Sequence, residues 1–392
     1  MNRFHRLPAA ALALALSAAP AAADPFDLTV TINGVSNQRS FTSAEDAVNA
    51  LEAGNLRALN PGYTDLSPAN ADILFRGIPV QAAFAANSTA LRFVVPGTGL
   101  DRTFTGATRD ESVELLRRFF EGQGGEAELT RILRFGVRTT AADPIAGSPT
   151  SAMNRAVARD FDAAFSRASG GGGASLGVRF GSFSGAGYNT QTLDLPIGYS
   201  WQITENDLIE IDVPLSASDT EGARSYGANV GVRYRRRITP EWTLQPSFRI
   251  GGAGSLDLAS GSGLYSLALN STYNFRVNDD WRVTVGNGIT YVATFPISVG
   301  QYSIDYDLKN IVFRNGVAVT WQTGLQIAGL ATAVSAFAID TRFTGDAVYV
   351  RSYQEFGVYG SFGATDPLRV GVTGLVGDRG IRGFYFNAGV SF

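Results

Sequence analysis

The 392-residue sequence contains no cysteine, one histidine, His5, and one lysine, Lys309. Without cysteine there is neither a disulfide framework nor a thiolate metal site. His5 falls in a segment that reads as a leader, so the rest of the chain lacks the imidazole on which Ser-His-Asp and Cys-His catalysis and histidine metal sites depend. Lysine chemistry is confined to a single position. Carboxylate chemistry is what remains, and no Asp or Glu spacing marks it. The expectation is a protein without catalytic residues, cofactor or bound metal. A strong excess of charge of either sign is also lacking. The formal net charge is −3, and losing Arg3 and Arg6 with the leader takes two positive charges from it to give −5; nothing in this balance calls for nucleic acid as a partner.

Arg3 and Arg6, the apolar stretch 7–20 and the small residues Ala21, Ala22 and Ala23 form a secretory signal peptide, with cleavage expected before Asp24. Residues 24–145 then read as a small α+β domain. Residues 27–33 alternate like a strand, and 43–53 read as a short helix with Ser43 as N-cap. The runs 73–86 and 89–95 form a hairpin about Asn87-Ser88, and helices are expected over 110–121 and 126–137.

After a Pro- and Gly-containing break over 141–149, a helix is expected over 149–168, with Ser148 as its cap. Met153, Val157, Phe161 and Phe165 recur every four residues, while Arg155, Arg159 and Asp162 lie off that stripe, so the helix is amphipathic. At 1.5 Å per residue it would be about 30 Å long, the thickness of a bilayer core.

From 174 to 392 the period becomes two. Leu193, Leu195, Ile197, Tyr199 and Trp201 alternate with Asp194, Pro196, Gly198 and Ser200, and the pattern recurs to the end of the chain. Many runs reach ten residues or more, long for a soluble sandwich strand and suited to a tilted crossing of a bilayer. One face is aromatic and aliphatic; the other is small and neutral, as a barrel lumen can be. The charge-free stretch 317–339 has the length of a transmembrane helix, but Gln322, Thr323, Gly324 and Gln326 interrupt it and its neighbours alternate. It is assigned to strands.

Twelve strands are expected, near 175–185, 190–202, 207–216, 224–238, 241–252, 263–277, 281–295, 301–322, 324–342, 346–362, 367–376 and 381–392. Asn315-Gly316 inside the eighth leaves fourteen open. Compact turns at 204–207, 239–241, 278–280 and 365–367 alternate with longer Gly-rich stretches at 216–225, 252–263 and 374–383, the asymmetry of an outer-membrane barrel. Trp201, Trp242, Trp281 and Trp321 recur about every forty residues beside tight turns, Trp321 beside 322–324, and read as an interfacial aromatic girdle. The fold expected is mainly β: a transmembrane antiparallel barrel over 174–392, preceded by a pore-length helix and the small α+β domain.

Arg233, Arg235, Arg249, Arg282 and Arg314 fall on the lumen face, and Asp305, Asp307 and Lys309 share one face of the eighth run. Together they are the candidate lumen-lining set, facing the polar side of the helix, where opposed charges select ions or hold a plug. Arg235, Arg236 and Arg237 form a basic run before a turn, read chiefly as solvated.

Phe384, Phe386, Val390 and Phe392 share the outer face of the last strand. This resembles the terminal signal by which bacterial outer-membrane proteins are recognised for insertion. It implies the outer membrane of a Gram-negative bacterium as location, with outer-membrane lipid and the barrel-insertion machinery as partners. The layout of 149–392, a helix joined directly to a barrel of about twelve strands, resembles the translocator domain of autotransporters. The departures are a preceding domain of only about 120 residues without solenoid repeat, and a helix without an Asn-Asn pair. A solitary autotransporter-type barrel that anchors or exports its N-terminal domain is therefore the first functional expectation. The alternatives are a passive pore plugged by the helix and a structural envelope protein. Neither a solute nor a surface ligand is specified.

Overall fold

The alternation that begins near residue 174 closes on itself. The computed structural model describes residues 24–165, 172–299, 302–363 and 368–391; the leader, 166–168 of the helix and Phe392 lie outside them. The barrel strands are β7 (Gly173–Gly185), β8 (Tyr188–Gln202), β9 (Asp207–Thr220), β10 (Ala223–Arg237), β11 (Trp242–Ser255), β12 (Ser260–Arg276) and β13 (Trp281–Phe295), followed by β16 (Lys309–Ile327), β17 (Leu330–Gly345), β18 (Ser352–Phe362), β19 (Leu368–Gly377) and β20 (Arg382–Ser391). Each pairs antiparallel with the next. The last closes on the first, from Arg382 opposite Ser184 to Ser391 opposite Ser175, so a twelve-stranded barrel has no edge.

The expected strand count holds. Residues 317–339 form parts of β16 and β17, and no helix among the described residues is long and apolar enough to cross a membrane.

Three expectations about connections change. The stretches 216–225, 252–263 and 374–383 are not long loops: β9 and β10 meet at Glu221-Gly222, where both φ are positive, and the other strands likewise run on to near their turns. Their small Ser, Gly and Ala residues look like loop in sequence but suit strands pressed against a neighbouring domain. Residues 322–324 are not a turn. They form a register irregularity inside β16, and the chain reverses at Ala328-Gly329. The eighth run starts only at Lys309, because Asp305 accepts from the Asp307 amide at 2.9 Å and Asp307 adopts φ 42°. The preceding segment instead carries the two-stranded ribbon of β14 (Ile297–Val299) and β15 (Tyr302–Ile304). Asn315-Gly316 lies in mid-strand, so the barrel does not gain a hairpin there.

The outer surface is apolar. Leu193, Leu195, Ile197, Tyr199 and Trp201 are exposed on β8, and Val213, Val230, Phe248, Leu267, Ile289 and Val317 repeat the pattern round the wall. Inward positions such as Thr192, Ser218, Gln245, Ser247 and Asn270 are buried. In water such a continuous apolar belt would be a large uncompensated cost; against hydrocarbon it is the favourable arrangement.

The N-terminal domain is a six-stranded antiparallel sheet in the order β2-β1-β3-β4-β5-β6. Its strands are β1 (Phe26–Ile32), β2 (Val35–Phe41), β3 (Ala69–Phe75), β4 (Ile78–Phe84), β5 (Leu91–Val95) and β6 (Leu100–Phe104). One face is covered by α1 (Ala44–Asn49), α3 (Arg109–Phe120) and α4 (Glu126–Thr139), with α2 (Ala53–Leu59) alongside. Ser43 caps α1 as expected, accepting from the Asp46 amide at 3.1 Å. The 73–86 run divides at Arg76-Gly77, where φ is 51° and 82°. Positive φ at both residues makes the tight hairpin turn that suits twisted strands.

This domain stands on the barrel end opposite Gly173 and Ser391. Its Ala44 amide donates to the Asp257 carbonyl at 2.7 Å, the Tyr349 amide to Val137 at 2.8 Å, and Arg134 pairs with Asp307 and Asp346. At the seam Asp143 is buried with one oxygen taking Arg76 at 3.2 Å and Tyr306 at 2.9 Å, and the other taking the amides of Ile145 and Ala146. Burial, and then the Asp143 carboxylate, push the Tyr306 hydroxyl well above its ordinary value, so it stays a donor. Tyr306→Phe leaves the carboxylate one donor short and is expected to cost about 1–2 kcal/mol of docking. The check is limited proteolysis in rising urea, with the N-terminal domain cleaved at lower urea than in the parent.

Candidate functional site: the occupied lumen

Helix α5 (Ala152–Phe165) runs inside the barrel. It begins three residues after the expected Pro149. The segment before it is buried at the barrel mouth, where the Ala152 and Met153 amides donate to the carbonyls of Pro144 and Ile145. Ser148 binds the Thr150 amide and, through its carbonyl, the Asn154 side chain, instead of capping the first turn. The 14 helical residues span about 21 Å.

Opposed charges hold the helix to the wall. Asp160 Oδ1 lies 2.6 Å from Arg249 and 3.3 Å from Arg233, and both arginines also meet Asp212 Oδ1, at 2.9 and 3.2 Å. Arg159 reaches the other Asp212 oxygen at 3.0 Å, and Glu210 takes Arg233 at 2.6 Å. Asp160, Asp212, Arg233 and Arg249 are each no more than 1% exposed, so no charge in this cluster is screened by solvent. Gly231 makes the room: a Cβ there would stand 2.5 Å from Arg249 and from Asp212.

Two residues further along, Asp162 takes Arg179 at 3.0 Å and Arg314 at 3.2 Å. Arg314 also binds Glu355 at 2.8 Å and the Tyr353 hydroxyl at 3.0 Å, and Tyr385 donates to Glu355 at 2.6 Å. Two helix carbonyls accept from the wall: Ala163 from Arg235 at 2.7 Å and Ala164 from Thr272 at 3.0 Å.

The apolar side is fitted as closely. Phe161 and Phe165 stack at 5.4 Å and lie against Ala318 and Ile339, in a hollow of the wall made by Gly286, Gly288 and Gly316. A Cβ on Gly286 would come within 2.5 Å of Phe165. Beside the helix, a cavity of about 50 Å³ bounded by Arg155, Arg179 and Asp194 has space for a water or two but not for a solute. A larger space of about 540 Å³ opens at the mouth near the barrel termini, lined by Phe165, Arg235, Arg237, Arg276 and Arg282.

Arg233, Arg235, Arg249 and Arg314 thus meet the helix, and Arg282 lines the mouth below it. Asp305, Asp307 and Lys309 do not join them. They sit at the opposite rim, where Lys309 pairs with Asp307 at 3.1 Å and Asp307 with Arg134. The apparent common face of those three was an alternation without a strand beneath it. Of the basic run, Arg235 and Arg237 point inward and Arg236 outward, to Asp207 at 3.1 Å. The sequence reading missed the acidic half of the lock, Asp160, Asp194, Glu210, Asp212 and Glu355. Strand parity was the available signal: the last four stand on the small, neutral side of their strands.

Trp201, Trp281 and Trp321 are exposed on the outer wall, and Trp242, half-buried on the same side, donates to Ser271 at 2.9 Å. Trp281 and Trp321 are cross-strand partners, stacked at 6.0 Å. Trp321 therefore shares the level of Trp281 although no turn follows it directly. Phe384 and Phe386 are exposed, with Val390 on the same side of β20.

A closed twelve-stranded barrel with an apolar outer belt, an aromatic rim and a polar, charged interior defines an outer-membrane β-barrel protein. The sequence matches no protein-family model and no curated protein. Similar solved structures include the β domain of the Bordetella autotransporter BrkA, at 15% identity and TM-score 0.45, covering 57% of this chain and 100% of that one. The translocator domain of the autotransporter NalP from Neisseria meningitidis gives 12% identity and TM-score 0.45, covering 61% of this chain and 93% of that one. The KdgM porin gives 13% and 0.33, with 56% and 99% covered.

Proposed function

We propose that the chain is a self-plugged outer-membrane anchor that holds its N-terminal domain on the outer face of the cell, as the autotransporter-like expectation has it. The observation carrying this reading is the buried Asp160–Arg233–Arg249–Asp212 cluster, which fixes α5 across the lumen with its N-terminal domain at one mouth. The connections at the mouth bearing Gly173 and Ser391 are short, as at 203–206, 238–241, 277–280 and 328–329; at the other mouth 186–187, 221–222 and 256–259 are equally short, but the connections from β13 to β16 and from β17 to β18 are longer. Short turns mark the periplasmic side of such barrels, which supports a position outside the cell for residues 24–147. The belt contacts outer-membrane lipid, and Phe384, Phe386 and Val390 present the last strand to the insertion machinery. A tag placed just after Asp24 and shaved with protease from intact cells is the test. Digestion is expected; protection until the outer membrane is opened would put the domain in the periplasm and overturn the reading.

A further inference from the structure

On β13 the outward positions read Trp281, Val283, Val285, Asn287, Ile289, and on β16 Trp321, Val319, Val317, Asn315, Phe313. Asn287 and Asn315 are cross-strand partners, both are exposed, and Asn287 donates to the Asn315 carbonyl oxygen at 2.7 Å. Six residues separate each from the stacked tryptophans. At ~3.3 Å per residue and a tilt of ~40° that places the pair about 15 Å from the aromatic rim, within a belt about 25 Å tall. At the same level the outer face also carries Asp340 and Arg342, paired with each other at 2.8 Å. Amide groups facing hydrocarbon without a partner carry a real cost.

The neighbouring polar residue shows what a met requirement looks like. Asp340, opposite Asn315, accepts from Gln354 and from Arg342, each at 2.8 Å, one bond per oxygen. The asparagine pair, by contrast, retains an acceptor on Asn287 Oδ1 and donors on Asn315 Nδ2. A neutral donor and acceptor side by side are self-complementary. Toward the aromatic rim the outward side chains Val285, Val317, Ala336 and Ala338 are short enough to let another wall approach; Phe313, Ile289 and Arg342 stand on the other side of the pair.

We infer that the outer face of β13, β16 and β17 is the contact surface for a second copy of this chain, packed about a two-fold axis along the membrane normal, with each Asn287–Asn315 pair completing the other. A two-fold contact uses the same patch on both partners, and this patch supplies both halves of the bond. The inference rests on the barrel lying in the membrane, not on which side the N-terminal domain faces.

The absence of cysteine makes the test direct. Asn315→Cys in the full chain, oxidised in outer membranes with copper phenanthroline, is expected to give a species of twice the mass. Ile197→Cys on β8, across the barrel, is expected to give none. Equal yields at the two positions, no doubled species at 315, or an adduct of another mass would each overturn the proposal. Asn287→Leu with Asn315→Leu supplies a second readout. Self-association in vesicles should weaken ~10-fold while the folded band on unheated gels persists; unchanged association would overturn it as well. Recovery of the chain outside the membrane fraction would instead remove the membrane placement on which the inference depends.

Discussion

Asp160→Leu should lower the stability of the folded barrel by about 3–5 kcal/mol, the range observed when one partner of a buried ion pair is deleted. Asp160 Oδ1 is the point where Arg233 and Arg249 meet, and neither arginine has appreciable contact with solvent. Without the carboxylate, Asp212 faces two guanidinium groups and Arg159 as well, with Glu210 as the one further acidic partner, on Arg233. The wall is complete without the helix, since every barrel strand is paired on both sides, so the loss should fall mainly on retention of the helix. Urea unfolding in detergent, followed by the shift of the folded band on unheated gels, measures it. Asp305→Asn at the rim is the control and should stay within about 0.5 kcal/mol of the parent. Equal midpoints for the two variants would show that the charge cluster does not hold the helix.

The largest functional change is expected on removing 24–171. The full chain should be electrically silent in a planar bilayer, because Phe161 and Phe165 fill the hollow at Gly286 and the residual cavity beside the helix is water-sized. The truncated chain should conduct in steady steps and prefer anions. Its exposed wall would carry Arg179, Arg233, Arg235, Arg249 and Arg314 against Asp194, Glu210, Asp212 and Glu355, with Arg237, Arg276 and Arg282 added at one mouth. Folding is checked by the same heat-dependent migration. A folded truncated barrel that remains closed would rule out the helix as the plug. A conducting full chain would favour the channel reading over the anchor.

How much was legible in the sequence depends on the length scale of each signal. Strict alternation over ten or more residues identifies β8, β10, β11 and β20 directly, because period two survives wherever one side meets hydrocarbon. It fails where both sides are small, and so the upper parts of β9, β11 and β19 look like Gly-rich loops. Asp305, Asp307 and Lys309 fail in the opposite way: their alternation was genuine, but Asp307 adopts a backbone no strand permits. Arginine is conspicuous on a neutral lumen face, so its half of the ion-pair cluster could be read. Asp160 could not, because helical spacing alone does not distinguish a residue aimed at a charged wall from one facing water.

The width of the passage bears on the order of events during export. A bore that one helix and its ion pairs fill will not admit a six-stranded sheet covered by helices. On the proposed orientation, residues 24–147 must cross as extended or singly helical chain and fold only after emerging. A thiol pair oxidised on the near side would lock such a chain before transit. A passenger made wholly of residues that cannot be cross-linked by oxidation is free of that hazard.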